Sequence, residues 1–201
     1  MKSCLNRPLI RMFAVLLFLL MLPESLASTV RMDPVGSAEK IFSTLSVYCN
    51  QWQELIGKPM GADLSFNPEN IKKAEELHYD LGGHQVTTFN FDGVYAEVDK
   101  DLNVYSVEIR IQDGEQAQYA ATSRIFALVS ALSGDLPSSE AEMKQRYLSM
   151  LSEYLSFMEE NRETLSAGNF AYWQVGDLEL SFFREAGILR MLFDRMTFEK
   201  D

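Results

Sequence analysis

The side chains able to do acid–base or covalent chemistry are few, and their spacing matches no established catalytic pattern. His78 and His84 stand six positions apart astride Gly82-Gly83, a separation that does not place two ligands on one helix face. Asp80 lies between them, where it could orient an imidazole, and an acid/His84 site is the hydrolytic alternative to a binding role. Cys49 falls on an apolar helical stripe, the setting of a buried, inert thiol. There is no Gly-x-Ser-x-Gly elbow, phosphate-binding loop, His-Glu-x-x-His pair or EF-hand loop. Asp99-Lys100-Asp101-Leu102-Asn103 begins like a calcium loop but lacks the later Gly and Glu, and reads as a hairpin turn. Glu75-Glu76 and Glu159-Glu160 read as solvated helix faces, whereas Glu97 and Glu108 fall on neighbouring strands. The inventory leads to no metal, no cofactor and a protein leaning away from enzymatic function.

Positioning these groups requires alternating helices and antiparallel strands. A helix begins near Asp33-Pro34 or Ser37, with Ile41, Phe42, Leu45, Tyr48, Cys49, Trp52 and Leu55 on one stripe, and ends at Gly57 and Pro59. A second, capped by Asn67, buries Ile71, Ala74 and Leu77 and closes at Gly82-Gly83. Asp92-Gly93 then separates two alternating segments as a two-residue hairpin, pairing Phe91 with Val94, Phe89 with Ala96 and Thr87 with Val98. A third strand alternates Tyr105, Val107, Ile109 and Ile111 with Ser106, Glu108 and Arg110. Another helix runs to about Ser133, and Ser139-x-x-Glu142 caps a long one carried to Gly168. Gly176-Asp177 turns a second hairpin, followed by Ile188–Met196. The fold class is therefore α+β: two antiparallel β-meanders of three strands each, about six strands in all, with amphipathic helices packed on one face. Residues 37–201 form a single domain, and the order α(α)βββ-ααβββ allows a pseudo-repeat of 37–112 and 114–197.

With helices on one side, the other side of the sheet presents Thr88, Asn90, Tyr95, Glu97, Ser106, Glu108, Arg110, Tyr172, Gln174, Glu179, Ser181 and Arg190. Tyrosine and arginine among short polar groups are favoured at recognition surfaces. The expected contacts to a protein ligand are Tyr95, Glu97, Glu108, Arg110 and Tyr172. A separate possibility is self-association of the long helix through Leu148 and Leu155.

Composition bounds the rest. The chain has 201 residues, 47% of them hydrophobic, and a net charge of −11, enough apolar material for a core and a field that repels nucleic acid. Lys2, Arg7 and Arg11, the apolar run Met12–Leu22, Pro23 and Ser25-Leu26-Ala27 form a secretory signal cleaved after residue 27. The apolar run is too short to span a bilayer, so no stable membrane anchor remains after cleavage. Residues 28–36 read as a flexible leader. With Cys4 removed no intramolecular disulfide can form, and there is no Asn-x-Ser/Thr acceptor, which points to a bacterial protein, periplasmic or secreted. The sequence thus leads to an exported, acidic protein-binding module, with a cell-envelope hydrolase as the alternative.

Overall fold

The computed structural model describes residues 28–56, 66–112 and 114–200. The signal segment, the end of the first helix at Gly57 and Pro59, and the side chain of Cys49 lie outside the described part. Residues Met32–Arg195 make one compact unit. In chain order its elements are β2 (Gly36–Ser37), α1 (Ala38–Ile56), α2 (Glu69–Lys72), β3 (His78–Tyr79), β4 (Gln85–Phe91), β5 (Val94–Val98) and β6 (Asn103–Ile111). There follow α3 (Glu115–Ser133), α4 (Glu140–Glu160), α5 (Arg162–Ser166), β7 (Ala171–Val175), β8 (Leu178–Glu185) and β9 (Ile188–Asp194). Strands β1 (Ser28–Met32) and β10 (Met196–Lys200) form a separate two-stranded sheet. The stretch read as a flexible leader is therefore structured. It supplies β1, and the buried Val35 donates its N–H to the Val104 carbonyl at 2.7 Å, committing the backbone before β2.

Both hairpins adopt the register their turns dictate. Asp92 and Gly93 have φ of 48° and 80°, the left-handed pair a tight two-residue turn needs. The pairs Phe91↔Val94, Phe89↔Ala96 and Thr87↔Val98 follow from it. Gly176 has φ of 59°, and Val175↔Leu178 and Trp173↔Leu180 follow in the same way. The large sheet runs β3-β4-β5-β6-β9-β8-β7, with β2 also paired to β6, so the two meanders meet through their last strands. That seam pairs Glu108 with Leu192, Ile109 with Met191 and Arg110 with Arg190, all antiparallel.

Helices α1, α3 and α4 supply Phe42, Leu45, Ile125, Leu128, Tyr154 and Phe157 to the core; the sheet answers with Val98, Val107, Ile109, Leu180, Phe182 and Met191. Their cores agree with the apolar stripes, but two ends differ from expectation. The second helix is a single turn rather than a run to Gly82-Gly83. The Lys100 ammonium donates to the carbonyls of Ile71, Lys72 and Ala74, taking the acceptors a longer helix would use, and residues 78–79 pair with β4 instead. The long helix stops at Glu160, not Gly168. Asn161 donates its side-chain amide to the Phe157 carbonyl at 2.9 Å, and α5 follows as a separate turn.

The start of α4 shows the capping box displaced by one residue. Ser139 Oγ accepts from the Glu142 N–H at 3.2 Å, while the Glu142 carboxylate accepts from Ser138, Oγ at 2.6 Å and N–H at 2.8 Å. The Ser138 hydroxyl and N–H, joined by the Arg146 guanidinium, hold the Glu142 carboxyl down at about 2. A carboxyl lowered on folding stabilises above its unfolded value, and that contribution disappears as pH falls toward 2. Thermal unfolding of Glu142→Gln should therefore show a lower melting temperature at neutral pH and a flatter decline between about pH 5 and 2 than the parent.

The Tyr154 side chain is fully buried among Trp173 and Phe182, and among the described residues its hydroxyl has no hydrogen-bond partner. Burial pushes this phenol up to about 12, so it stays neutral. Since an unpaired buried hydroxyl costs free energy, Tyr154→Phe should leave urea stability unchanged or raise it by about 1 kcal/mol. Tyr154→Ala should lose ~3–5 kcal/mol by opening a cavity.

Candidate functional site

The sheet face opposite the helices carries an ion network built by strand period. Glu108 and Arg110 are two apart on β6 and so point the same way, and Tyr95 on β5 lies directly opposite Glu108. Arg110 Nε donates to Glu108 Oε1 at 2.7 Å, and its guanidinium carbon sits 3.9 Å from the centre of the Tyr95 ring. The hydrogen bond to Glu108 raises the Arg110 pKa further, so this cation does not titrate. Across the seam Arg190 Nη1 reaches the same Glu108 oxygen at 3.1 Å, and its Nη2 reaches Glu185 Oε2 at 3.1 Å. Two arginines in register would repel; Glu108 between them is what allows the pair. Arg190 Nε is buried and makes no hydrogen bond among the described residues.

Glu97 sits one row away, opposite Ser106, whose hydroxyl donates to Glu97 Oε2 at 2.8 Å, while His78 Nε2 lies 3.3 Å from Glu97 Oε1. The structure thus brings Tyr95, Glu97, Glu108 and Arg110 together. Tyr172 shares the row, through Glu108↔Leu192, Leu192↔Ser181 and Ser181↔Tyr172, but sits three strands from Glu108, about 14 Å at ~4.8 Å per strand. It belongs to a second, aromatic group. Phe170 packs on Phe183 with ring centres 4.9 Å apart and stacks beside Tyr172 at 6.4 Å, and Tyr172 is 59% exposed. Phe183, Leu192 and the exposed Ile188 on this face were missed. The alternation Leu178, Leu180, Phe182 inward already turns Phe183 outward, but the Phe-Phe doublet reads as core.

One residue of the predicted alternation is overturned. Tyr105 does not face the helices with Val107. The pairing slips from Glu97↔Ser106 to Val98↔Val104, leaving Tyr105 as the extra residue of a β-bulge. Its ring joins Met32 and Val86 in a small cluster of its own and stacks on His84 at 4.1 Å. Tyr105 donates its hydroxyl to Asp99 Oδ2 at 3.1 Å; burial first, then the Asp99 hydrogen bond and charge, push the phenol up to about 12. Beside it the fully enclosed Asp80 carboxylate accepts the His84 N–H at 2.7 Å and lies 3.1 Å from His84 Nδ1. Asp80 and His84 thus brace one turn, while His78 pairs separately with Glu97. Among the described residues each imidazole is hydrogen-bonded to a carboxylate rather than to a hydroxyl or thiol, and no group of three His, Cys, Asp or Glu is arranged to hold a metal ion.

One concavity lies away from this face. A cleft of about 630 Å³ runs between α1 and the α3–α4 connection, lined by Thr44, Val47, Tyr48, Leu136 and Glu140 among others, with no histidine. No described helix is long and apolar enough to cross a membrane. No family model, curated protein or solved structure matches the chain.

Because Glu108 is shared by two guanidiniums and only 21% exposed, Glu108→Gln should destabilise by roughly 1–2 kcal/mol. A double-mutant cycle with Arg190→Met should return a coupling of ~0.5–1 kcal/mol, read by denaturant unfolding. Additive losses would show that the seam pair contributes nothing.

Proposed function

We propose that the chain is a non-enzymatic binding module that holds a protein ligand on the open sheet face. The observation that carries this reading is the juxtaposition on one surface of a braced Tyr95–Arg110–Glu108 array and an aromatic strip in which exposed Phe170 and Tyr172 sit beside the buried Phe183 ring. Arginine and tyrosine immobilised before contact lose little side-chain entropy on binding, which favours them as anchors. The charged array gives orientation and the aromatic strip gives apolar area, the combination expected of a recognition surface with a polar rim. A chain of net charge −11 repels polyanions, so the ligand is a protein of neutral or basic character rather than a nucleic acid. Export by the N-terminal segment would place this encounter in the periplasm or medium.

The test is quantitative capture of ligand from the native cell envelope on immobilised protein, comparing parent with Tyr95→Ala/Arg110→Ala and with Tyr172→Ala. Each should retain at least about tenfold less of the same ligand, while the single-site stability change of Tyr172→Ala stays near 0.5 kcal/mol. Equal capture by all variants, or losses that track melting temperature, would remove the sheet face from the function.

A further inference from the structure

Among the described residues the sheet ends at β7, and this edge is unguarded. The stretch Asn169–Gly176 (NFAYWQVG) carries no charged residue and no proline, and β7 pairs with β8 without a bulge. Proteins that keep an edge solitary usually place lysine, proline, a bulge or an inward charge there. The far edge is treated differently: β3 covers the start of β4, pairing His78 with Val86 and Tyr79 with Gln85.

The hairpin turn fixes which backbone groups of β7 are free. In a two-residue hairpin the residues flanking the turn exchange both hydrogen bonds, so Val175, Trp173 and Ala171 face β8. The N–H and C=O of Tyr172 and Gln174 therefore point away from the sheet, and among the described residues nothing bonds them.

We infer that β7 is a self-association edge, on which a second copy of this chain pairs its own β7 antiparallel about Trp173. The occupant is identified by the side chains. Centred on Trp173, the strand sets Tyr172 opposite Gln174 of the second copy, Ala171 opposite Val175, and Phe170 opposite Gly176. Each step apart from the central pair matches a larger group with a smaller one, the complementarity that cross-strand neighbours favour. A Cβ built on Gly176 would meet nothing within 4 Å among the described residues, so the glycine leaves open space toward which the second copy's Phe170 ring would come. The same register makes Tyr172 and Gln174 hydrogen-bonded partners twice over, satisfying all four free groups on each strand. The interface is isologous, as a two-fold dimer requires, and brings no like charges into register. Asp177 and Glu179 flank the strand, and their repulsion across the axis is screened beyond the ~8 Å Debye length of physiological salt. The two sheets become one continuous layer, with both open faces on the same side. This inference does not depend on the ligand-binding reading.

Light scattering of the purified chain at about 50 μM should give twice the monomer mass. Gln174→Pro deletes the outward N–H and one exposed side-chain bond to the Gly176 carbonyl but no ladder bond to β8, so it should leave the fold intact and weaken dimerisation at least about tenfold. Tyr172→Lys supplies the missing edge guard and should do the same, which keeps the test decisive if the proline variant fails to fold. Amide exchange of Tyr172 and Gln174 should be slow in the parent and accelerate on dilution. A monomeric mass for the parent at this concentration would overturn the inference. So would a dimer that survives Tyr172→Lys, or one dissolved instead by Leu148→Glu/Leu155→Glu on α4, where both leucines are exposed.

Discussion

The architecture depends on the pairing of β6 with β9. Each meander forms from local contacts across short turns, which carry little loop-closure cost. The seam does not: Glu108 and Arg190 are 82 residues apart in sequence, and three helices intervene. Everything distant in the fold follows once six residues of β6 take their partners between Ser106↔Asp194 and Ile111↔Leu189. Apolar side chains at Val107, Ile109 and Met191 then form the floor on which α3 rests, and the alternate residues become a single continuous surface. The ion network lies on this seam, so the same pairing that closes the fold also assembles the candidate site.

Much of this was legible in the sequence because tight turns and period-two alternation constrain each other. An Asp-Gly turn admits one register, and that register either sorts apolar from polar side chains or fails; here it sorted them. Helix interiors were legible for the same reason, with stripes such as Ile41, Phe42 and Leu45 reaching full burial. Helix ends were less so. Lys100 reaches α2 from a turn more than twenty residues away, and no local pattern announces that an ammonium will take those carbonyls. Asn161 stops α4 by a side-chain bond that competes with the helix, a choice propensity alone does not settle.

The open face shows the same division. Tyr95, Glu97, Glu108 and Arg110 follow from alternation within one meander, and they meet. The partner of Glu108 across the seam, Arg190, was readable only as a residue on the same side, because which strands of the two meanders adjoin is a topological fact. Tyr105 was misplaced by a single inserted residue. A bulge reverses the facing of one side chain without altering the apparent pattern, and composition gives no warning of it.

The ammonium bridge from Lys100 has a further meaning for how the molecule opens. A four-residue helix has no stability of its own in water, since nucleation outweighs so few backbone bonds. Helix α2 therefore persists because the β5–β6 turn holds it, through Lys100 and through burial of Ile71. The two segments belong to one cooperative unit, and whatever loosens the turn releases the helix with it.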